Sequence, residues 1–104
     1  MKTVHKFKLN SDGSLNKIAL REGYRVLKTD FIVAEKAVFI WVEHPLSVTV
    51  PEVSVYFRVV HSGDPIPMEY VHAGTALDEF TPEAYHVYEV PEALAQKEQR
   101  EDVA

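Results

Sequence analysis

The sequence predicts an all-β or β-dominated α+β domain, a small antiparallel sandwich or barrel with room for one short helix and a mobile C-terminal tail. Three segments carry that expectation: alternating apolar and polar residues over Thr3 to Leu9, the same alternation over Val53 to Val60, and Ala37 to Val42, which is apolar on both sides. Strand side chains point alternately to the two faces. Period-two alternation therefore marks a strand with one face on a core, and an unbroken apolar run marks one covered on both. A chain of 104 residues is the size of a single domain with one core.

In the first segment Thr3, His5, Phe7 and Leu9 share one face, opposite Lys6 and Lys8, a pattern that suits an edge strand. The cluster Asn10, Ser11, Asp12, Gly13 supplies a turn acceptor and a residue tolerant of positive φ, so a hairpin into Ser14 to Leu20 is expected. Arg21 to Gly23 breaks the chain again. From Tyr24 to Val33 the alternation places Leu27, Thr29, Phe31 and Val33 against Val26, Lys28, Asp30 and Ile32.

Ala37 to Val42, with Val38, Ile40 and Val42 on one side and Ala37, Phe39 and Trp41 on the other, reads as a central strand ended by His44 and Pro45. Pro51 makes Leu46 to Val50 an interrupted or edge segment, because proline cannot donate to a ladder. In the next strand Val53, Val55, Phe57 and Val59 face inward while Ser54, Tyr56 and Arg58 face outward. His61 to Pro67 is an ordered loop. Tyr70 to Thr75 is a short strand, Asp78 to Ala84 a loop or helical turn, and Ala84 to Val90 the last strand. Residues 1–90 thus form the β-rich domain, and 91–104 a charged tail, a frayed helix or disordered segment with Leu94 and Val103 as its large apolar groups.

Composition narrows the functions. With no cysteine, disulfides, thiolate metal sites and a cysteine nucleophile are excluded, and the chain fits a reducing cytoplasm. No apolar run resembles a signal-peptide core, and the longest, Ala37 to Val42, is six residues against the roughly 20 needed to span a bilayer. The four glycines are isolated, so no phosphate-binding loop can be built. No cofactor is expected.

The net charge of −5 is unevenly distributed along the chain. Residues 1–28 carry seven Lys or Arg against Asp12 and Glu22, +5, whereas 29–104 carry four against fourteen carboxylates, −10. A net-acidic chain without an obvious basic stripe argues against direct nucleic-acid binding and for a protein partner with a basic surface.

Reactive side chains concentrate in the loop His61, Ser62, Gly63, Asp64 with His72 nearby. Their types match a hydrolytic triad, but a triad needs a base within reach of its nucleophile and an oxyanion hole, and Ser62 and Asp64 equally suit a turn. His61, Asp64 and His72 are therefore loop candidates with no catalytic residue assigned. The five histidines show no metal-ligand spacing, so no metal site is assigned either. Tyr56, Arg58, Tyr70, Tyr85 and Tyr88 are the interface candidates, aromatics and an arginine on strands whose other faces supply the core.

The opening Met1, Lys2, Thr3, Val4 with Lys6 and Phe7, the Trp41 strand, Phe57 to Val60 leading to Gly63 and Ile66, then Gly74, Thr75 and the closing His86, Val87, Tyr88, Glu89 form an ordered set. Over about residues 1–90 the chain resembles a family of small uncharacterised domains from bacteriophages and prophage-bearing bacteria. The loop departs from that family's pattern, in which a Gly-Thr-Gly turn replaces Ser62, Gly63 and Asp64, so no role of the loop carries over.

The resemblance implies a phage-type protein in the host cytoplasm. It would be a non-enzymatic binder that modulates or inhibits a host defence or gene-expression component. The alternatives are a structural virion component that self-assembles as a homo-oligomer, and a small hydrolase or metal-binding protein using the His61 to His72 loop.

Overall fold

The structure, a computed structural model, describes residues 1–103, with side chains through Arg100. The chain runs β1 (Lys2–Leu9), β2 (Asn16–Arg21), β3 (Arg25–Ile32), a 3-10 turn (Val33–Glu35), β4 (Ala37–Pro45), β5 (Glu52–His61), β6 (Val71–Asp78), β7 (Glu83–Val90) and α1 (Glu92–Val103). Strands β1-β4-β3 form one antiparallel sheet and β2-β5-β7-β6 a second. Two separate sheets make a sandwich and not a closed barrel.

The core lies between the sheets. Leu9, Val38, Ile40 and Val42 from the first meet Leu20, Val55, Phe57, Val59 and Val87 from the second. The alternation over β1 and β5 supplies these residues as expected, and β4 is the central strand of its sheet.

Three sequence expectations need correcting. β1 and β2 do not form a hairpin: the Asp12–Gly13 turn, with Gly13 at φ 91°, carries the chain from one sheet to the other. Asn16 fastens that crossing, accepting from the Asn10 N–H (2.8 Å) and donating to the carbonyls of Asn10 (3.1 Å) and Phe57 (3.3 Å). Such reciprocal bonding offsets the burial of a carboxamide.

In β3 a bulge between Val26 and Lys28 shifts the register, so Val26 and not Leu27 joins Thr29 and Phe31 on the inner face, while Leu27 is exposed and Val33 leaves the strand for the 3-10 turn. Leu46 to Val50 forms turns and belongs to no strand.

Among the described residues no helix or further sheet covers the outer face of the first sheet. Phe39 and Trp41 are covered instead by lysines of the flanking strands: Lys6 Nζ sits 4.9 Å from the Phe39 ring centroid and Lys28 Nζ 5.9 Å from that of Trp41. Their alkyl stems shield the rings while the ammonium groups stay in water. On the outer face of the second sheet, α1 packs Ala95 and Leu94 over Tyr56 and Val90, forming a satellite core with Leu15 and Tyr70. Ala95, a residue without a long side chain, lets the helix approach the sheet closely.

Candidate functional site

Each loop candidate has a defined place. β5 ends at His61, and Gly63 adopts φ 97° in the turn that follows. Asp64 closes this turn: its Oδ2 accepts from the His61 N–H at 2.9 Å, and its own N–H donates to the His61 carbonyl at 3.1 Å. His61 reaches away from Ser62, with Nδ1 3.1 Å from Glu83 Oε1 and its ring edge-on to Tyr85.

Ser62 instead meets a residue that local sequence did not single out for it. Ser62 Oγ is 2.9 Å from His86 Nε2, His86 Nδ1 is 3.1 Å from Thr75 Oγ1, and Thr75 Oγ1 is 2.8 Å from His72 Nε2. Register creates this polar row. Thr75 lies opposite His86 across β6 and β7, and the bulge between His72 and Gly74 turns two residues three apart onto one face. Cross-strand pairing is a long-range property, so no short motif announces His86 and Thr75.

Chemically the row offers a hydroxyl against an imidazole, with Thr75 where a triad has its carboxylate. A threonine hydroxyl can fix a tautomer but cannot stabilise an imidazolium as a carboxylate does. His72 and Thr75 on β6 and Ser62 in the turn after β5 are all exposed. Among the described residues no group of three or more His, Asp or Glu is placed to hold a metal ion.

The interface candidates divide. Tyr56 faces outward as the alternation requires, yet is only 4% exposed because α1 covers it, so the expectation of a solvent-facing Tyr56 is corrected. Arg58 is spent internally: Nε donates to the Gly13 carbonyl (2.9 Å), one Nη to Tyr70 Oη (2.6 Å), and the other pairs with Glu98 of α1. Burial works against its charge, but the Glu98 carboxylate prevails and holds the guanidinium pKa above its usual value. Tyr85 points into the sandwich and stacks on Phe31 with ring centroids 5.2 Å apart. Tyr88 leans on His72 and stands near Tyr70, both tyrosines half-buried. Tyr70 and Arg58 line an open groove of about 440 Å³ between α1 and Pro65 to Pro67.

Exposed large apolar groups also stand beside acidic charge at the β6–β7 turn. Asp78 builds this turn, accepting from the Phe80 N–H at 3.0 Å and from the Thr81 hydroxyl at 2.6 Å. The Thr81 bond holds the Asp78 carboxyl below the usual carboxylate range. The tight turn throws Phe80 out to 78% exposure, beside Leu77 at 63%. Phe80 borders a groove of about 400 Å³ with Val33, Lys36 and Tyr85, and Leu77 one of similar volume with Glu79, Pro82 and Glu83. Sequence reasoning passed over Phe80. The available signal was a phenylalanine set between acidic residues in a predicted turn, Asp78-Glu79-Phe80-Thr81-Pro82-Glu83.

Among the described residues no helix is long and apolar enough to cross a membrane. No curated protein and no solved structure matches the chain. A family model does, over residues 1–98, from β1 into α1, and its description is a domain of unknown function, DUF7352. With nearly its whole length so matched, the chain belongs to the DUF7352 family.

Proposed function

We propose that this domain is a non-enzymatic binding protein that engages a basic surface of a protein partner through the acidic β6–β7 turn. Phe80 carries the proposal: a phenylalanine 78% exposed and flanked by Glu79 and Glu83 has no structural task where it stands. An exposed aromatic that becomes desolvated on binding supplies most of an interface's affinity, and surrounding carboxylates speed encounter with a cationic surface. Leu77 and Val33 extend the apolar contact. This turn replaces the tyrosines as the anchor, since Tyr56 and Tyr85 already serve the core.

Following the resemblance to phage and prophage domains, the partner is a host protein, such as a defence or gene-expression component, and the outcome of binding is inhibition. The test is affinity capture from bacterial lysate at low and high salt, with wild type beside Phe80→Ser and Glu79→Lys/Glu83→Lys. The wild type should retain one defined protein, Phe80→Ser should lose it, and the charge reversal should slow association most at low salt. Capture of nothing, together with a closed homo-oligomer in solution, would replace this proposal with the structural virion component.

A hydrolase is the second proposal, favoured by the Ser62–His86 contact alone. Turnover of an activated ester that disappears in both Ser62→Ala and His86→Ala would establish it over the binding function.

A further inference from the structure

We propose that the outer face of the β1-β4-β3 sheet binds a single-stranded nucleic acid. The chain's net charge of −5 argues against such a ligand only if charge is evenly spread, and the strand register sorts it. Lys2, Lys6 and Lys8 of β1 and Arg25 and Lys28 of β3 all flank the outward residues of β4. Two carboxylates share the face: Glu43, between Lys2 (3.4 Å) and Arg25 (3.8 Å), and Asp30, beside Lys28 (3.6 Å). Five cations against two anions leave a net positive surface on an acidic protein.

Its centre is aromatic. Trp41 pairs with Lys6 on one side and Lys28 on the other, a lysine–tryptophan–lysine row across three strands, and Phe39 pairs with Lys8 and Asp30 in the next row. Trp41 is half-buried and needs only Lys28 to swing aside to offer a ring face, whereas Phe39, 4% exposed, packs beside it with ring centroids 6.4 Å apart. A flat basic sheet with an accessible aromatic matches what single strands require, cations along the backbone and a π-surface for a base. Same-face lysines on one strand stand roughly 7 Å apart, and those on β1 and β3 about 10 Å apart across β4. Duplexes keep their base faces stacked and could use the cations alone.

Asp78, Glu79 and Glu83 lie at the β6–β7 turn instead. α1 with Glu98 covers the opposite sheet, and paired sheets stand about 10 Å apart, more than the Debye length of about 8 Å at physiological salt. The face and the β6–β7 turn share no residue, so the two binding activities can be tested independently.

The chain holds one tryptophan, so its emission reports on this face alone. Titration with a deoxythymidine oligomer of about ten nucleotides at about 0.1 M salt should quench Trp41. The logarithm of the affinity should fall with that of salt at a slope of about −2 to −3.5, corresponding to three to five neutralised phosphates. By anisotropy of a labelled oligomer, Lys6→Glu/Lys28→Glu should abolish binding and Trp41→Leu weaken it about tenfold or more, while Phe80→Ser binds as wild type. Thermal melts identify any variant that fails to fold, and Trp41→Phe, which keeps a ring, should bind within a few-fold of wild type. Absence of quenching and binding would overturn the proposal. So would equal affinity for a duplex, for base-free polyphosphate or for anionic lipid vesicles, since each would show a face that selects charge without bases.

Discussion

At Gly74 the backbone of β6 passes so close to β3 that a Cβ atom would stand 2.7 Å from Thr29 Cβ and closer still to its hydroxyl. This is the contact between the edge strands of the two sheets, and only glycine permits it. Gly74→Ala should cost about 1–3 kcal/mol by urea unfolding, the usual range for overpacking a tight site. In a Thr29→Gly background, which removes the opposing Cβ, the added cost of Gly74→Ala should largely vanish, whereas a Gly74→Ala cost untouched by Thr29→Gly would place the strain elsewhere.

Tyr24 gives a second residue-level expectation. Burial, followed by its hydrogen bond to Glu89, raises the phenol pKa well above 10. The folded state therefore keeps a proton that the unfolded chain releases above about pH 10, so this contribution is intact below pH 10 and lost as pH rises beyond it. Stability measured between pH 9 and about 11 should fall, and less steeply in Tyr24→Phe.

Neither residue was legible. An isolated glycine and a tyrosine after a turn carry no mark of what lies across the sandwich, whereas the inward positions of β5 were plain because alternation is local.

Among the elements, α1 shows how composition misleads. In sequence Leu94 and Val103 are its only large apolar groups, which predicts a frayed helix or disordered tail, yet Ala95 makes a buried contact with Leu94 beside it. The helix is held by the small area where Ala95 meets Tyr56 and Val90 and by the Arg58–Glu98 pair. A chain ending at Pro91 would expose both apolar side chains and leave Arg58 without its carboxylate. Its stability should drop by about 2–4 kcal/mol, from the usual value of burying such side chains. A truncated chain as stable as the full one would show that α1 contributes no packing.

The crossing from β1 to β2 was misread for a similar reason. Asp12-Gly13 does make a turn, but which strand receives the chain depends on Asn16 reaching Phe57 of β5, a partner forty-one residues away. The polar row Ser62–His86–Thr75–His72 belongs to the same class. Its residues were visible singly and their assembly was not, because register and a bulge create it.

For the molecule as a whole, sorted charge is the property that a tally along the chain concealed. Basic residues early in the sequence reach one surface because β1 and β3 flank the same strand, and acidic ones gather at the β6–β7 turn. The fold class itself was readable, since it needs only the strand count and the apolar faces, and the two-sheet solution follows from burying them.

The same topology bears on how the chain reaches its native state. Of the five strand pairings only β3–β4 and β6–β7 join neighbours in sequence; β1–β4, β2–β5 and β5–β7 each bridge one or more intervening strands. Non-local pairings must close long loops before any contact compensates the lost chain entropy. Refolding by stopped-flow should therefore take milliseconds to seconds, with the two local hairpins forming before β5 unites its sheet. Because β5 touches both β2 and β7, Val59→Ala should slow refolding more than Leu27→Ala does, and equal effects would argue against assembly around that strand.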